Sequence, residues 1–180
     1  LKWQFEVEAA SIKAVFWRML APRWAFDPLS GAGAARAGGR WNEPNQPALY
    51  LSESHAVAIA EYQQDLPRPG TLTGYEVVAK AVFDLANPAI REAVGIEEAF
   101  LRQNWKQDRD IAGRRPPSWD FARAAAEHGW VGIIVPSVQT RGNNLVLWRW
   151  NMLDGATVRF IDPVGDLPRD ASSWPTRGSD

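Results

Sequence analysis

Apolar residues fall in short clusters along the chain, and polar or glycine-rich stretches separate them. Residues 13–20 (KAVFWRML) are apolar enough for an early strand, with the charge of Arg18 inside it. Residues 48–52 (ALYLS) alternate with period two, so Leu49 and Leu51 share one face and Tyr50 and Ser52 the other. Ser54 stands where an N-cap belongs, ahead of a helix predicted over 55–65 with alanine at 56, 58 and 60. Residues 73–83 (TGYEVVAKAVF) predict another strand, ended by the turn-forming Asp84 to Pro88. The stretch 89–116 is mixed and reads as helical in part. Ser118 is placed to cap a further helix that Gly129 ends, with Asp120 suited to its positive first turn. The run VGIIV (131–135) is stopped by Pro136, and LVLWRW (145–150) and TVRFI (157–161) complete the predicted strands.

These elements predict an α+β fold, a central mixed or antiparallel sheet with a few flanking helices. No repeat or low-complexity linker divides the sequence. Residues 1–180 therefore read as a single domain, with its core at about 15–161 and a loosely held tail at 162–180. One stretch fits no element. Residues 21–47 lack periodicity and are rich in Gly and Pro, and a loop of that length is functional or disordered more often than incidental.

Composition narrows the function classes. With 46% hydrophobic and 23% charged residues, the 180-residue chain has ordinary globular values and enough length for a core. No apolar run reaches membrane-spanning length, and the N-terminus lacks the layout of a signal peptide. The absence of cysteine excludes disulfides and thiolate metal sites and suits a reducing, cytoplasmic setting. His55 and His128 lie far apart, and Asp108 and Asp110 flank Arg109 as in a solvated turn, so no metal site is expected. A net charge of −1 argues against a nucleic-acid partner. The ten tryptophans either cap a core and line clefts or form a sugar-stacking or partner-binding surface.

The long stretch contains GAGAARAGGRWN, from Gly31 to Asn42. Its glycines permit close approach of backbone to a ligand, but it has neither the Lys-Ser/Thr of a Walker loop nor dinucleotide-fold spacing. It reads either as a flexible loop with solvated arginines or as a ligand-binding loop. Arg18, in an apolar strand, must reach water, a carboxylate or an anion. Arg18 and Arg40 together can clamp a pyrophosphate, or each can form a salt bridge to an acidic side chain. Tyr50 points toward whatever the loop covers, as a ring-stacking and ribose-binding group or as an ordinary half-buried strand tyrosine. Glu61, on the helix after it, is either a surface glutamate or a carboxylate that stabilises an oxocarbenium ion. Ser137 has no histidine placed to activate it and reads as a hydrogen-bonding serine. Asn143 and Asn144 read as turn residues before the next strand.

The stretches at 17–42, 48–62 (ALYLSESHAVAIAEY) and 133–137 (IIVPS) together resemble the RES domain, named for an arginine, a glutamate and a serine. They occur in family order with similar spacings across roughly residues 15–150. The resemblance implies a fold like that of ADP-ribosyltransferase toxins and an enzyme that cleaves the nicotinamide–ribose bond of NAD⁺, with no metal. Carried over by position, Glu61, Tyr50 and Arg40 would be catalytic, and Arg18, Arg40, Tyr50 and Ser137 would bind NAD⁺. Family members pass ADP-ribose to water, phosphate or a protein target. They pair with a cognate antitoxin, often of helix-turn-helix type, whose C-terminal part covers the active site. Some relatives place an aromatic residue directly after the first arginine, where this chain has Met19. A non-catalytic, Trp-rich binding module is the alternative.

Overall fold

A computed structural model describes residues 3–64 and 66–172. Six strands form one mixed sheet: β1 (Ala10–Leu20), β2 (Leu49–Ser52), β3 (Thr71–Asp84), β4 (Gly132–Pro136), β5 (Asn143–Leu147) and β6 (Thr157–Ile161). β1 runs antiparallel to β3 from Ala10↔Val82 to Leu20↔Thr71, and it touches β2 at Trp17↔Ser52. β2 pairs with β5, β5 with β4, and β4 runs parallel to β3, so five strands close into a ring. β6 lies outside the ring against Gly74–Val78 of β3.

A bulge makes this sharing of β3 possible. Between Ala10 and Ile12 the partner residue moves from Val82 to Ala79, which inserts one extra residue in β3, and Ala81 takes a positive φ of 56°. The bend falls where the outer edge of β3 passes from β6 to β4.

Alternation sorts the side chains into two cores. Leu49, Leu51, Leu145, Leu147, Tyr75 and Val77 pack inside the ring, as the alternation of ALYLS requires. Outside it, Phe83, Ile133 and Val146 meet Phe121 and Ala125 of α5 (Pro117–His128). The ring of Phe121 stands 5.7 Å from Phe83 and 6.0 Å from Trp41, both edge-on. Burying each such side chain stabilises the fold by roughly 1.5–3 kcal/mol.

The remaining helices are short: α1 (Ala32–Ala37), α2 (His55–Gln63), α3 (Pro88–Ala93) and α4 (Glu98–Arg102). Ser54 caps α2 as predicted, its side chain accepting from the Val57 N–H. Three details differ from the sequence reading. Pro117 opens α5 from its first position, leaving Ser118 inside the first turn with a buried hydroxyl that has no partner among the described residues. β5 begins at Asn143 and stops at Leu147, because both its neighbours end their pairing there, at Leu49 and Gly132. The stretch 21–47 contains a 3₁₀ turn at Pro22–Trp24 and the helix α1.

That stretch is fastened rather than flexible. Tyr75 and Arg18 donate to the Pro28 carbonyl, at 2.9 and 3.2 Å. The indole N–H groups of Trp150, Trp119 and Trp148 donate to the carbonyls of Leu29, Gly39 and Trp41, at 3.1, 2.7 and 2.8 Å. Three of the tryptophans therefore act as clasps, a role open to an apolar side chain with a single donor. Asn42, fully buried, donates to Ala34, Glu43 and Gln46 carbonyls.

Among the described residues no helix is long and apolar enough to cross a membrane, and no group of three or more His, Cys, Asp or Glu residues could hold a metal ion. Residues 162–172 form turns, with the Asp162 carboxylate accepting from the N–H groups of Asp166 and Leu167. The rest of the expected tail, 173–180, lies outside the described residues.

Candidate active site

Tyr50 projects from the outer face of β2 toward the fastened loop. Its hydroxyl donates to Asn42 Oδ1 at 2.8 Å and accepts from the Trp41 N–H at 3.0 Å. Burial raises the pKa of this phenol well above its ordinary range. Both contacts grip a tight turn, closed by the Gly39 N–H to Asn42 carbonyl bond of 2.9 Å, that carries Arg40 at its tip. Gly39 is dictated by this contact, since a Cβ there would meet the Tyr50 hydroxyl and stand 2.6 Å from Asn42 Oδ1.

Arg40 donates through Nη1 to the Leu101 carbonyl at 3.2 Å and to the Gln103 carbonyl. Burial lowers its pKa, while the charge of Glu61 and the nearby Tyr50 act to raise it. Arg18, on β1, donates to the Pro28 and Ser30 carbonyls at 3.2 and 3.1 Å. Its pKa is lowered by burial too, with Tyr75 and Asp27 opposing. Neither arginine forms a salt bridge among the described residues. Two desolvated guanidinium groups held by neutral carbonyls keep their charge available to an anion.

Glu61 lies in the last turn of α2. Its Oε1 accepts from Ser137 Oγ at 2.7 Å and from Asn144 Nδ2 at 2.6 Å. Asn144 Oδ1 in turn accepts from Ser52 Oγ at 2.7 Å, and Ser137 Oγ accepts from the Gln139 and Thr140 N–H groups. Strands β2 and β5 and the residue that follows β4 thus fix one carboxylate oxygen, while Oε2 has no hydrogen-bond partner among the described residues.

Two cavities meet at this carboxylate. One, of about 330 Å³, is lined by Arg40, Trp41, Trp105 and Lys106 among others. The second, of about 250 Å³, is lined by Trp17, Arg18, Met19, Tyr62 and Arg68. Tyr50, Glu61, Gln64 and Asn144 belong to the walls of both. The fold therefore brings Arg18, Arg40, Tyr50 and Glu61 around one cleft. Ser137 lines neither cavity and reaches the cleft through Glu61.

Asn144 is the site residue that sequence reasoning missed. It is a strand residue, not a turn residue, registered opposite Ser52 on the outer face. The available signal was Ser52 itself, a polar residue on the same strand face as Tyr50. Trp17 and Met19, on either side of Arg18, both line the Arg18 cavity, and Trp17 meets His55 edge-on at 5.9 Å.

The family model described as RES domain matches residues 15–170. The chain is 33% identical over 127 residues to the NAD(+) phosphorylase MbcT of Mycobacterium tuberculosis, covering 62% of this chain and 61% of that protein. The chain thus spans about three fifths of the length of that relative. It is 25% identical over 135 residues to Toxin Res of Yersinia enterocolitica, covering 74% and 82% of the two chains. A shorter match, 46% over 48 residues, joins it to the Prs ADP-ribosylating toxin of Sphingobium sp., covering 26% and 30%. The crystal structure of the M. tuberculosis MbcT–MbcA toxin–antitoxin complex is similar in fold, with a TM-score of 0.56, 26% identity and 86% of each chain covered. With the family model spanning most of its length and this fold match beside it, the chain belongs to the RES domain family.

Proposed function

We propose that this chain is a toxin that binds NAD⁺ and cleaves its nicotinamide–ribose bond. The observation that carries the reading is Glu61, anchored through Oε1 between Ser137 and Asn144 where two arginine-bearing cavities meet. Breaking the glycosidic C–N bond leaves the electron pair on nicotinamide, which departs neutral and needs no general acid. Positive charge then develops on the ribose, and a fixed carboxylate beside it stabilises that charge and orients the ribose hydroxyls. Arg18 and Arg40 hold the anionic pyrophosphate. Tyr50 contributes a ring face to the riboside end and holds the turn that carries Arg40, its hydroxyl being engaged by Asn42 and Trp41. Ser137 acts on the substrate through Glu61.

The similarity over 127 residues to a protein named as an NAD(+) phosphorylase supports phosphate as the acceptor. An attacking phosphate oxygen would then yield ADP-ribose 1″-phosphate. The similarity to a toxin named as ADP-ribosylating keeps a protein side chain as the second reading. Incubation with NAD⁺ in buffer, in phosphate and with cell lysate separates these. Phosphorylated ADP-ribose supports phosphorolysis, free ADP-ribose hydrolysis, and a labelled protein band transfer; NAD⁺ intact in all three defeats the proposal.

The partner in this reading is an antitoxin, as the fold match to a toxin–antitoxin complex supports. It is taken to be of helix-turn-helix type with a C-terminal part over the cleft, and the pair acts on the cytoplasmic NAD⁺ pool. Co-expression with the product of a neighbouring reading frame should restore cellular NAD⁺ and growth.

A further inference from the structure

A third cavity, of about 250 Å³, shares Arg18 and Met19 with the second and continues away from Glu61. Its walls include Trp24, Phe26, Asp27, Gly33 and Arg36. Trp24 is half exposed, an unusual state for so large an apolar ring, and its ring stands 6.2 Å from Phe26 at a tilt of 44°. Arg36 lies 5.9 Å from the centre of the Trp24 ring and forms no salt bridge among the described residues. The Asp27 carboxylate likewise has no hydrogen-bond partner there and faces Arg18 electrostatically.

The three cavities form a track. Glu61 marks the wall between the first and second, and Arg18 the wall between the second and third. We infer that the third cavity takes the adenosine end of the dinucleotide, which rests on the NAD⁺ reading of the Glu61 cleft. A pyrophosphate on Arg18 places one nucleoside in each adjoining cavity. The riboside to be cleaved must lie on the Glu61 side, so the adenosine lies on the Trp24 side. The chemistry of that side suits it: an aromatic platform for a purine face, a carboxylate to accept from the base amine or a ribose hydroxyl, and a cation near the phosphate.

Adenosine monophosphate is the direct probe, with calorimetric binding to the intact chain as the readout. Trp24→Ala should weaken binding about tenfold or more, from the loss of a stacked base. Trp24→Phe, which keeps a ring, should retain most of it. Gly33→Leu supplies an independent test, because Gly33 lines the cavity and a Cβ there meets nothing within 4 Å. It too should weaken binding about tenfold, and both variants should raise KM for NAD⁺ more than they lower kcat. Failure of the nucleotide to bind the wild-type chain, or equal binding by the wild type, Trp24→Ala and Gly33→Leu, would overturn the assignment. NAD⁺ cleaved with unchanged KM in both variants would also overturn it while leaving the cleavage reading intact. Binding lost in both variants, in a chain that leaves NAD⁺ uncleaved, would uphold the adenosine site and remove the cleavage reading alone.

Discussion

A carboxylate fixed through one oxygen presents the other in a constant direction, and at Glu61 that direction is set by two donors, one on β5 and one just after β4. Glu61→Gln keeps the shape and removes the charge. Its rate of nicotinamide release should fall about 10²-fold or more, with the thermal midpoint little changed. Asn144→Ala and Ser137→Ala each remove one donor, so each should lower kcat about tenfold by loosening the carboxylate, with a smaller effect on KM. Steady-state kinetics on the three variants separates these effects. A drop in KM affinity alone for Asn144→Ala would place it on the substrate rather than on Glu61. At this scale the sequence singled out Arg18 inside an apolar strand, Tyr50 by strand alternation, Arg40 in a Gly-rich loop and Glu61 on a helix, and the fold brings the four around one cleft. It was silent on Asn144, whose role depends on a pairing with Ser52 across 92 residues of chain.

At the scale of elements, the loop from 21 to 47 is the part whose behaviour the residues least disclosed. Glycines and alanines predict mobility, yet the donors that fasten it come from Tyr75, Trp119, Trp148 and Trp150, all far along the chain. Long-range clasps of this kind leave no local periodicity. Asn42 is the centre of the local fastening, with three donated bonds and one accepted from Tyr50. Asn42→Ala should therefore destabilise the chain by about 3 kcal/mol and lower the thermal midpoint by roughly 6–12 °C. Gly39→Ala should act on the same turn through steric conflict with Tyr50, costing about 1–3 kcal/mol. Calorimetric melting checks both, and an unchanged midpoint for Asn42→Ala would contradict the fastened loop. Elements made by local pattern fared better: the alternation of ALYLS and the capping of α2 by Ser54 are both present as the sequence predicts.

For the whole molecule, the ring of five strands buries Tyr75 completely, and its pKa is pushed up to about 12 by that burial. The folded chain keeps this proton at a pH where the unfolded chain, with an ordinary tyrosine pKa near 10, loses it. Stability from this group is fully present below about pH 10 and declines as pH rises toward 12. Urea midpoints should fall across that window, and Tyr75→Phe should fall less steeply; an equal slope would contradict the assignment. The order of strands in the ring was beyond sequence reasoning. β1 and β3 pair around the intervening β2, and β3 changes partner at a bulge marked by nothing but Ala81.

The central claim is that this cleft breaks the nicotinamide–ribose bond with Glu61 at the reacting carbon. Release of free nicotinamide from NAD⁺ by the purified chain, followed over time in phosphate buffer beside a folded Glu61→Gln variant, tests it most directly. Release by the wild-type chain and its near-abolition in the variant is the predicted result. No release by the wild type, or equal release by both, would contradict it.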